Sequence, residues 1–329
     1  MKKVFIAGGV LLVLLGIAVL LIAYNYRNDI HVNGEYRFQD GDLLLFGSIQ
    51  YEKQSFYCKS IKKDNSCDGD RIVSVNGNGK QKEVLSIKDA IIFQAYIQNG
   101  MLDVFYAKSR KDELEYFMIR IDLSSMKILS EKAITLFPWG WNPISDEYTY
   151  SGSLVLEKDL RSNLLWEDTC VWYVDGNQII LQNATGERLA VANVNGEQST
   201  SFKLLKNEKG LVVVDFSTNL TTVSQYAWKE KGILEKTSET NIMGEVFDVE
   251  ALSDSILAFQ GNYVLEIHDE QKNVLFEFRE GTGVSSSIRK DDTLFLSAGN
   301  ELWCISPGDK ELRKFAVVDG EYCHFVSQQ

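Results

Sequence analysis

The sequence predicts an all-β chain of repeated antiparallel units behind one N-terminal transmembrane helix, and three observations carry that prediction. Short apolar runs of strand length alternate with tight-turn signals, as in TLFLSAGNELWCISPGDKELRKF from Thr293 to Phe315, where Ala298-Gly299-Asn300 and Pro307-Gly308-Asp309 separate three runs. Beyond about residue 34, no segment of helical length places apolar residues at i, i+3, i+4 and i+7 without a turn signal breaking it. Finally, the uncharged run from Val4 to Tyr24 is the only one long enough to cross a bilayer, as a helix of about 30 Å.

That run reads as an uncleaved signal anchor. It is longer than the apolar region of a cleaved signal peptide, which is the alternative reading of the basic start Lys2-Lys3, and Leu21 is too large for the small-x-small cleavage site that Ala23 would complete. Lys2, Lys3 and the terminal amine lie on one flank, whereas Arg27 is offset by Asp29 on the other, so the N-terminus stays in the cytoplasm. Residues 1–3 are then a cytoplasmic tip, 4–24 the anchor, 25–34 a linker and 35–329 an extracytoplasmic domain. The short basic start has a bacterial style, which would set the domain in the periplasm or on the cell surface.

At 45% hydrophobic and 11% aromatic residues, the 329-residue chain has ample material for a core. Its net charge of -12 has no basic face, which argues against nucleic-acid binding by phosphate neutralisation and against lying flat on anionic lipid.

The repeated units follow in order. The first, Asp40 to Leu85, holds DLLLFGSIQ, QSFYCKSI and RIVSVNGNGKQKEVL, after a possible strand at Glu35 to Phe38. The second, Ala90 to Ser130, turns at Asn99-Gly100, the strongest short hairpin signal in the chain. The third, Thr149 to Val191, turns at Asp175-Gly176 and again at Ala184-Thr185-Gly186. A fourth runs from Phe202 to Leu234, a fifth from Leu257 to Phe278, and the sixth is the segment quoted first. Aligning their last turns places Lys80, Lys127, Glu187, Lys231, Lys272 and Lys310 together, a period of roughly 40 residues with one long step before Glu187. A period near 40 with four short antiparallel strands is the mark of a β-propeller, here with six or seven four-stranded blades. GEYRF (Gly34 to Phe38) and GEYCHF (Gly320 to Phe325) are the candidates for closing the ring.

The segment ILQNATGERLAV, with IDLSSMKILS as a weaker copy, resembles the turn of quinoprotein-type propeller repeats of the PQQ-like and WD40-like kind, in which an Ala-x-Asp-x-x-Thr-Gly-Lys-like turn precedes a Trp. Val191 or Ala192 stands where that Trp would be, so the resemblance implies the fold and no quinone or other cofactor. The family's assembly members, periplasmic proteins that bind partner proteins, imply an envelope protein as partner by analogy.

Five cysteines sit in what should be an oxidising compartment. Cys58 and Cys67 flank a polar loop and are expected to form a disulfide, worth roughly 2–3 kcal/mol by loop closure. Cys304 and Cys323 are a second candidate pair across strands, leaving Cys170 odd. None has zinc or dithiol spacing.

Chemistry is harder to place. His31, His268 and His324 are the only histidines, and His324 and Cys323 are adjacent strand residues that point to opposite faces, so no nucleophile–base pair is visible. No metal-ligand spacing stands out, Asp64 to Asp70 reading as a solvated loop. The turn-proximal acid pairs Asp146/Glu147, Glu167/Asp168 and Asp291/Asp292 keep a propeller glycoside hydrolase or lyase open, with no acid assignable as donor or base.

The segment LFPWGWNPISDEYTY holds two of the three prolines and two of the six tryptophans. It is expected to be a stiff loop presenting Phe137, Trp139, Trp141 and Tyr148 as a binding surface, or else one that folds back and buries its own rings. Trp166, Trp172, Trp228 and Trp303 read as core between blades. The function these observations favour is a membrane-anchored, non-catalytic platform for an envelope protein or surface ligand. A propeller glycoside hydrolase or lyase acting on a polysaccharide and an envelope inhibitor or immunity protein are the alternatives.

Overall fold

The computed structural model describes residues 30–48, 70–88, 90–110, 113–135, 140–142, 147–149, 164–167, 170–183, 185–194, 201–217, 219–230, 232–318 and 321–328, so the anchor run and the Cys58–Cys67 loop lie outside the described residues. Every regular element among those residues is a β-strand. They fall into two compact units, residues 1–133 with 319–321 and residues 134–318 with 322–329.

In the first unit, β1 (Ile30–Val32), β4 (Gln81–Ile87), β3 (Asp70–Val75) and β2 (Leu43–Ser48) lie side by side in that order. A second sheet runs β5 (Ala90–Gln98), β6 (Met101–Arg110), β7 (Glu113–Asp122), β8 (Lys127–Ile134). In the second unit a two-stranded hairpin, β9 (Gly140–Asn142) with β10 (Glu147–Thr149), precedes four antiparallel sheets, each built from strands consecutive in sequence. These are β11 (Leu165–Glu167), β12 (Cys170–Asp175), β13 (Gln178–Asn183), β14 (Arg188–Asn193); β15 (Ser201–Asn207), β16 (Gly210–Ser217), β17 (Leu220–Glu230), β18 (Ile233–Met243); β19 (Asp248–Leu252), β20 (Ser255–Gln260), β21 (Tyr263–His268), β22 (Gln271–Glu277); and β23 (Val284–Lys290), β24 (Thr293–Ala298), β25 (Glu301–Ile305), β26 (Arg313–Val317). Strands β27 (Glu321–Phe325) and β28 (Ser327–Gln328) follow.

The N-terminal end differs from expectation. Ile30–Val32, in the expected linker, pairs with β4, whereas Glu35 to Phe38 is not a strand. Asn33 causes the change: its side-chain oxygen accepts the Glu35 N–H at 3.0 Å and its carbonyl accepts the Tyr36 N–H at 3.0 Å, so the chain turns before it can extend. Tyr36 is buried and donates to Asp42 at 2.8 Å.

Within each sheet of the second unit burial changes from strand to strand. The second strands are apolar runs with nearly every residue buried, as in Val171–Val174, Leu211–Val214 and Ser255–Phe259, while β22, a fourth strand, is largely exposed. A strand buried on both faces needs a neighbour on each side, and the clusters supply them. Trp172, Val174 and Ile179 pack on Leu204, Leu211 and Val213 of the next sheet; Val212 and Val214 pack on Val249, Ile256 and Ala258; Leu257 and Phe259 pack on Leu294 and Leu296. Alternate residues of one strand thus serve successive interfaces.

One backbone bond recurs. The residue that follows a strand donates its N–H to the second residue of the two-residue turn joining the preceding pair of strands. The bonds are Leu123 to Gly100, Val194 to Asn177, Gly244 to Asn219, Phe278 to Asn262 and Val318 to Asn300, at 2.7–3.0 Å. Both Asn99 and Gly100 have positive φ, at 47° and 73°, the type I′ geometry that their sequence signals.

Cysteine pairing corrects one expectation. Cys304 is a buried free thiol, so no Cys304–Cys323 disulfide forms. In β25 it lies between Phe295 and Arg313, and β27, which carries Cys323, is not a strand of that sheet. Burial raises its pKa.

In the first unit Asp70 is buried, and its Oδ2 accepts the Ile92 N–H at 2.6 Å, joining β3 to β5 beside the bulge at Phe93. Its Oδ1 has no partner among the described residues. Burial pushes the carboxyl up to about 7, against the pull of the Ile92 bond. An unfolded chain ionises this group near 3.9. Rising pH therefore favours the unfolded state between about 4 and 7, by up to about 4 kcal/mol in total. Asp70→Asn keeps an acceptor for Ile92 and should remove this loss. Denaturant unfolding from pH 4 to 8 is expected to give a flatter stability profile for the variant, and equal slopes in both proteins would exclude Asp70 as the titrating group.

Trp303 packs on Phe276 and Phe278, with ring centroids 4.9 and 5.6 Å away, but its buried indole N–H has no partner among the described residues. An orphan buried donor costs about 1–3 kcal/mol. Trp303→Phe should therefore unfold within about 1 kcal/mol of the wild type, whereas Trp303→Ala should lose about 3–5 kcal/mol. Equal losses in the two variants would show that the indole itself, and not just an aromatic ring, is needed at this position.

Candidate functional site

The face-to-face packing lapses at one end of the interface between the β11–β14 and β15–β18 sheets. Strand β17 pairs with β16 as far as Tyr226, opposite Leu211, and then runs on paired with β18, where Trp228 faces Leu234. This overhanging hairpin has no β16 alongside it, so the end of the interface between the β11–β14 and β15–β18 sheets opens into a cleft of about 400 Å³. Trp172 and Leu181 form one wall, and Leu211, Tyr226, Trp228 and Leu234 the other. The register carries Leu165, Trp172 and Leu181 across one sheet in a single row.

The two tryptophans have different environments. Trp172 is only 5% exposed, whereas Trp228 is 51% exposed, and their rings lie 5.7 Å apart at 49°. The expectation that both are core holds for Trp172 and is corrected for Trp228, whose sequence neighbours Lys229, Glu230 and Lys231 mark a solvated hairpin end. Trp166 lies in β11, and Trp303 is in the core already described.

Polar groups gather at the rim. Glu167 accepts the Trp172 indole N–H at 2.9 Å and pairs with Lys206, and the Lys206 ammonium, against some burial, holds its carboxyl below the usual range. Lys209 pairs with Asp269 at 2.5 Å and likewise lowers that carboxyl. Lys209 is set by the β15–β16 turn, where the Asn207 side-chain oxygen accepts the Lys209 and Gly210 N–H groups at 3.0 and 3.1 Å. Only glycine fits at position 210: φ is 136°, and a Cβ would lie 2.3 Å from the Tyr226 carbonyl oxygen. The close approach brings this turn against β17 at the cleft. Cys170 completes the rim.

The expected aromatic loop is partly in view. Phe137 and Trp139 lie outside the described residues, while Trp141 and Tyr148 are partners in register across the β9–β10 hairpin. Of the acid pairs, Glu167 is the rim residue just described, and Asp292 stands 3.9 Å from Arg289. Two other carboxylates do converge. Asp248 and Glu250 both accept from Lys203, at 2.7 and 2.9 Å, and Glu250 also accepts from Ser287 at 2.8 Å. Burial works against the charge of Lys203, but the two carboxylates outweigh it and raise its pKa. With one ammonium shared between them, these acids form a cross-sheet clamp linking β15, β19 and β23. Among the described residues no three His, Cys, Asp or Glu side chains gather as a metal site.

No known family's sequence profile matches the chain, and no curated protein matches it either. Solved structures do. The tricorn protease matches at 10% identity over 86% of this chain and 30% of that one, with a TM-score of 0.37. PorZ of Porphyromonas gingivalis, described as an essential bacterial surface component of the type-IX secretion system, matches at 13% over 77% and 31%, also at 0.37. Virginiamycin B lyase from Staphylococcus aureus matches at 13% over 88% and 87%, at 0.33. This chain thus spans about a third or less of the first two. The neighbours are β-propeller proteins, in line with the resemblance read from the repeats. That likeness stays at the level of the fold, and at these TM-scores it carries no further argument.

Proposed function

We propose that this chain is a single-pass membrane protein whose residues 4–24 anchor it with the N-terminus in the cytoplasm. It displays a six- or seven-bladed β-propeller outside the cytoplasm as a non-catalytic platform for an envelope protein or surface ligand. The uncharged apolar run supports the anchor, and the succession of four-stranded antiparallel sheets supports the blades. The observation that carries the function is the cleft, where a half-exposed Trp228 stands over a buried Trp172 in a frame of paired strands. Large aromatic groups held rigidly at a concave surface bury area on binding with little loss of conformational freedom. The loop carrying Phe137, Trp139, Trp141 and Tyr148 is proposed as a second contact.

Full-length chain solubilised from native membranes and used as bait should capture a partner that the Trp228→Ala variant fails to capture. Retention by Trp228→Ala with loss by a Trp139→Ala/Trp141→Ala variant would move the binding surface to the loop. Capture of nothing by any form would sink the platform reading.

Stability measurements separate surface from scaffold. Trp172→Ala should cost about 3–5 kcal/mol of unfolding free energy. Trp228→Ala should cost about 1 kcal/mol or less, since it gives up one ring contact at an exposed site. Comparable losses at the two positions would mean that Trp228 is a packing residue.

A further inference from the structure

Building on the reading of the cleft as a binding surface, we propose that its occupant is an extended segment of a partner protein bearing a bulky apolar side chain beside a carboxylate. The apolar group enters between Trp172 and Trp228, and the carboxylate pairs with Lys206 and Lys209.

Size and lining select the apolar part. A cleft of about 400 Å³ has room for one large side chain and its flanking backbone and is far too small for a folded domain. Its walls are apolar or aromatic, and Trp228 is half-exposed, so a side chain entering there removes apolar surface from water on both partners. Leu181, Leu211 and Leu234 line the cleft beside the aromatic rings, and such aliphatic walls suit an apolar side chain better than a sugar ring, whose hydroxyls would lose water there.

Charge selects the rest. The chain carries a net charge of -12, yet this cleft is lined by two lysines and one acid. Glu167 is already held by Lys206 and by the Trp172 indole, which leaves it little pull on an incoming cation. Each ammonium offers three N–H donors, and the bonds to Glu167 and Asp269 use one apiece. Asp269 is not part of the cleft lining, so the carboxylate nearest an occupant is the neutralised Glu167. A carboxylate arriving beside the apolar side chain gains charge-assisted bonds from the N–H donors that these two pairings leave over on Lys206 and Lys209.

The test titrates the full-length chain in detergent micelles with acetyl-Gly-Phe-Asp-Gly-amide and with the same peptide carrying Lys in place of Asp, following the protein's tryptophan fluorescence. The Asp peptide is expected to bind at least about fivefold more tightly, with the advantage shrinking as salt is raised. Trp228→Ala should abolish binding of both, and Lys206→Gln/Lys209→Gln should erase the preference while the apolar contact persists. Equal or tighter binding of the Lys peptide, still lost in Trp228→Ala, would overturn the charge assignment and leave the cleft as a binding surface. Binding of neither peptide, or binding indifferent to Trp228→Ala, would overturn both. Maltohexaose binding that Trp228→Ala abolishes, without peptide binding, would replace the peptide by a polysaccharide.

Discussion

The second strands of the first three sheets between residues 164 and 277 are apolar on both faces, and a sheet with such a strand inside it is stable only when covered twice. Alternation along the strand then divides the work. Leu211 and Val213 belong to one interface and Val212 and Val214 to the next, so each sheet is bound to its neighbours by residues one position apart. The repeated bond from strand exit to turn keeps the divided faces in register, because it fixes where each meander ends relative to its central hairpin. Slipping any strand by one residue would exchange its two interfaces and break that bond as well.

Much of this was legible in the sequence, because strand length, turn chemistry and period are local properties. Asn99-Gly100 and Gly299-Asn300 are the turns they read as, and the apolar runs between such turns are strands. Legibility fails where the outcome depends on what lies across space. Ile30–Val32 becomes a strand because β4 offers it a partner, while the Asn33 turn keeps Glu35 to Phe38 from extending. Cys304 and Cys323 are close in sequence, but sheet membership separates them. Trp228 has the alternation of a core residue, and only the early end of the neighbouring strand exposes it. The rim lysines are ordinary turn and strand residues in sequence, since their pairing with Glu167 and Asp269 spans 39 and 60 positions.

The cleft therefore arises from a mismatch in strand length. Its floor is the ordinary interface between two sheets, with Trp172 and Tyr226 in the same cluster as Val174 and Leu204. Its opening is the stretch where β17 and β18 continue without β16. Glycine at 210 lets the β15–β16 turn close against the Tyr226 carbonyl, which brings Lys209 to the rim. Apolar wall and charged edge are joined where the Trp172 indole donates to Glu167, so a change at one is felt at the other.

The overhanging hairpin also makes the depth of this site an adjustable dimension. Beyond the last pairing with β16, Ala227, Trp228 and Glu230 pair with Glu235, Leu234 and Ile233, so adding or deleting a cross-strand pair outside Trp228 and Leu234 would lengthen or shorten one wall while keeping Leu234 in the cluster below. A lineage or an engineer could retune the reach of the cleft through a handful of tip residues, as one resets the jaw of a vice without recasting its body.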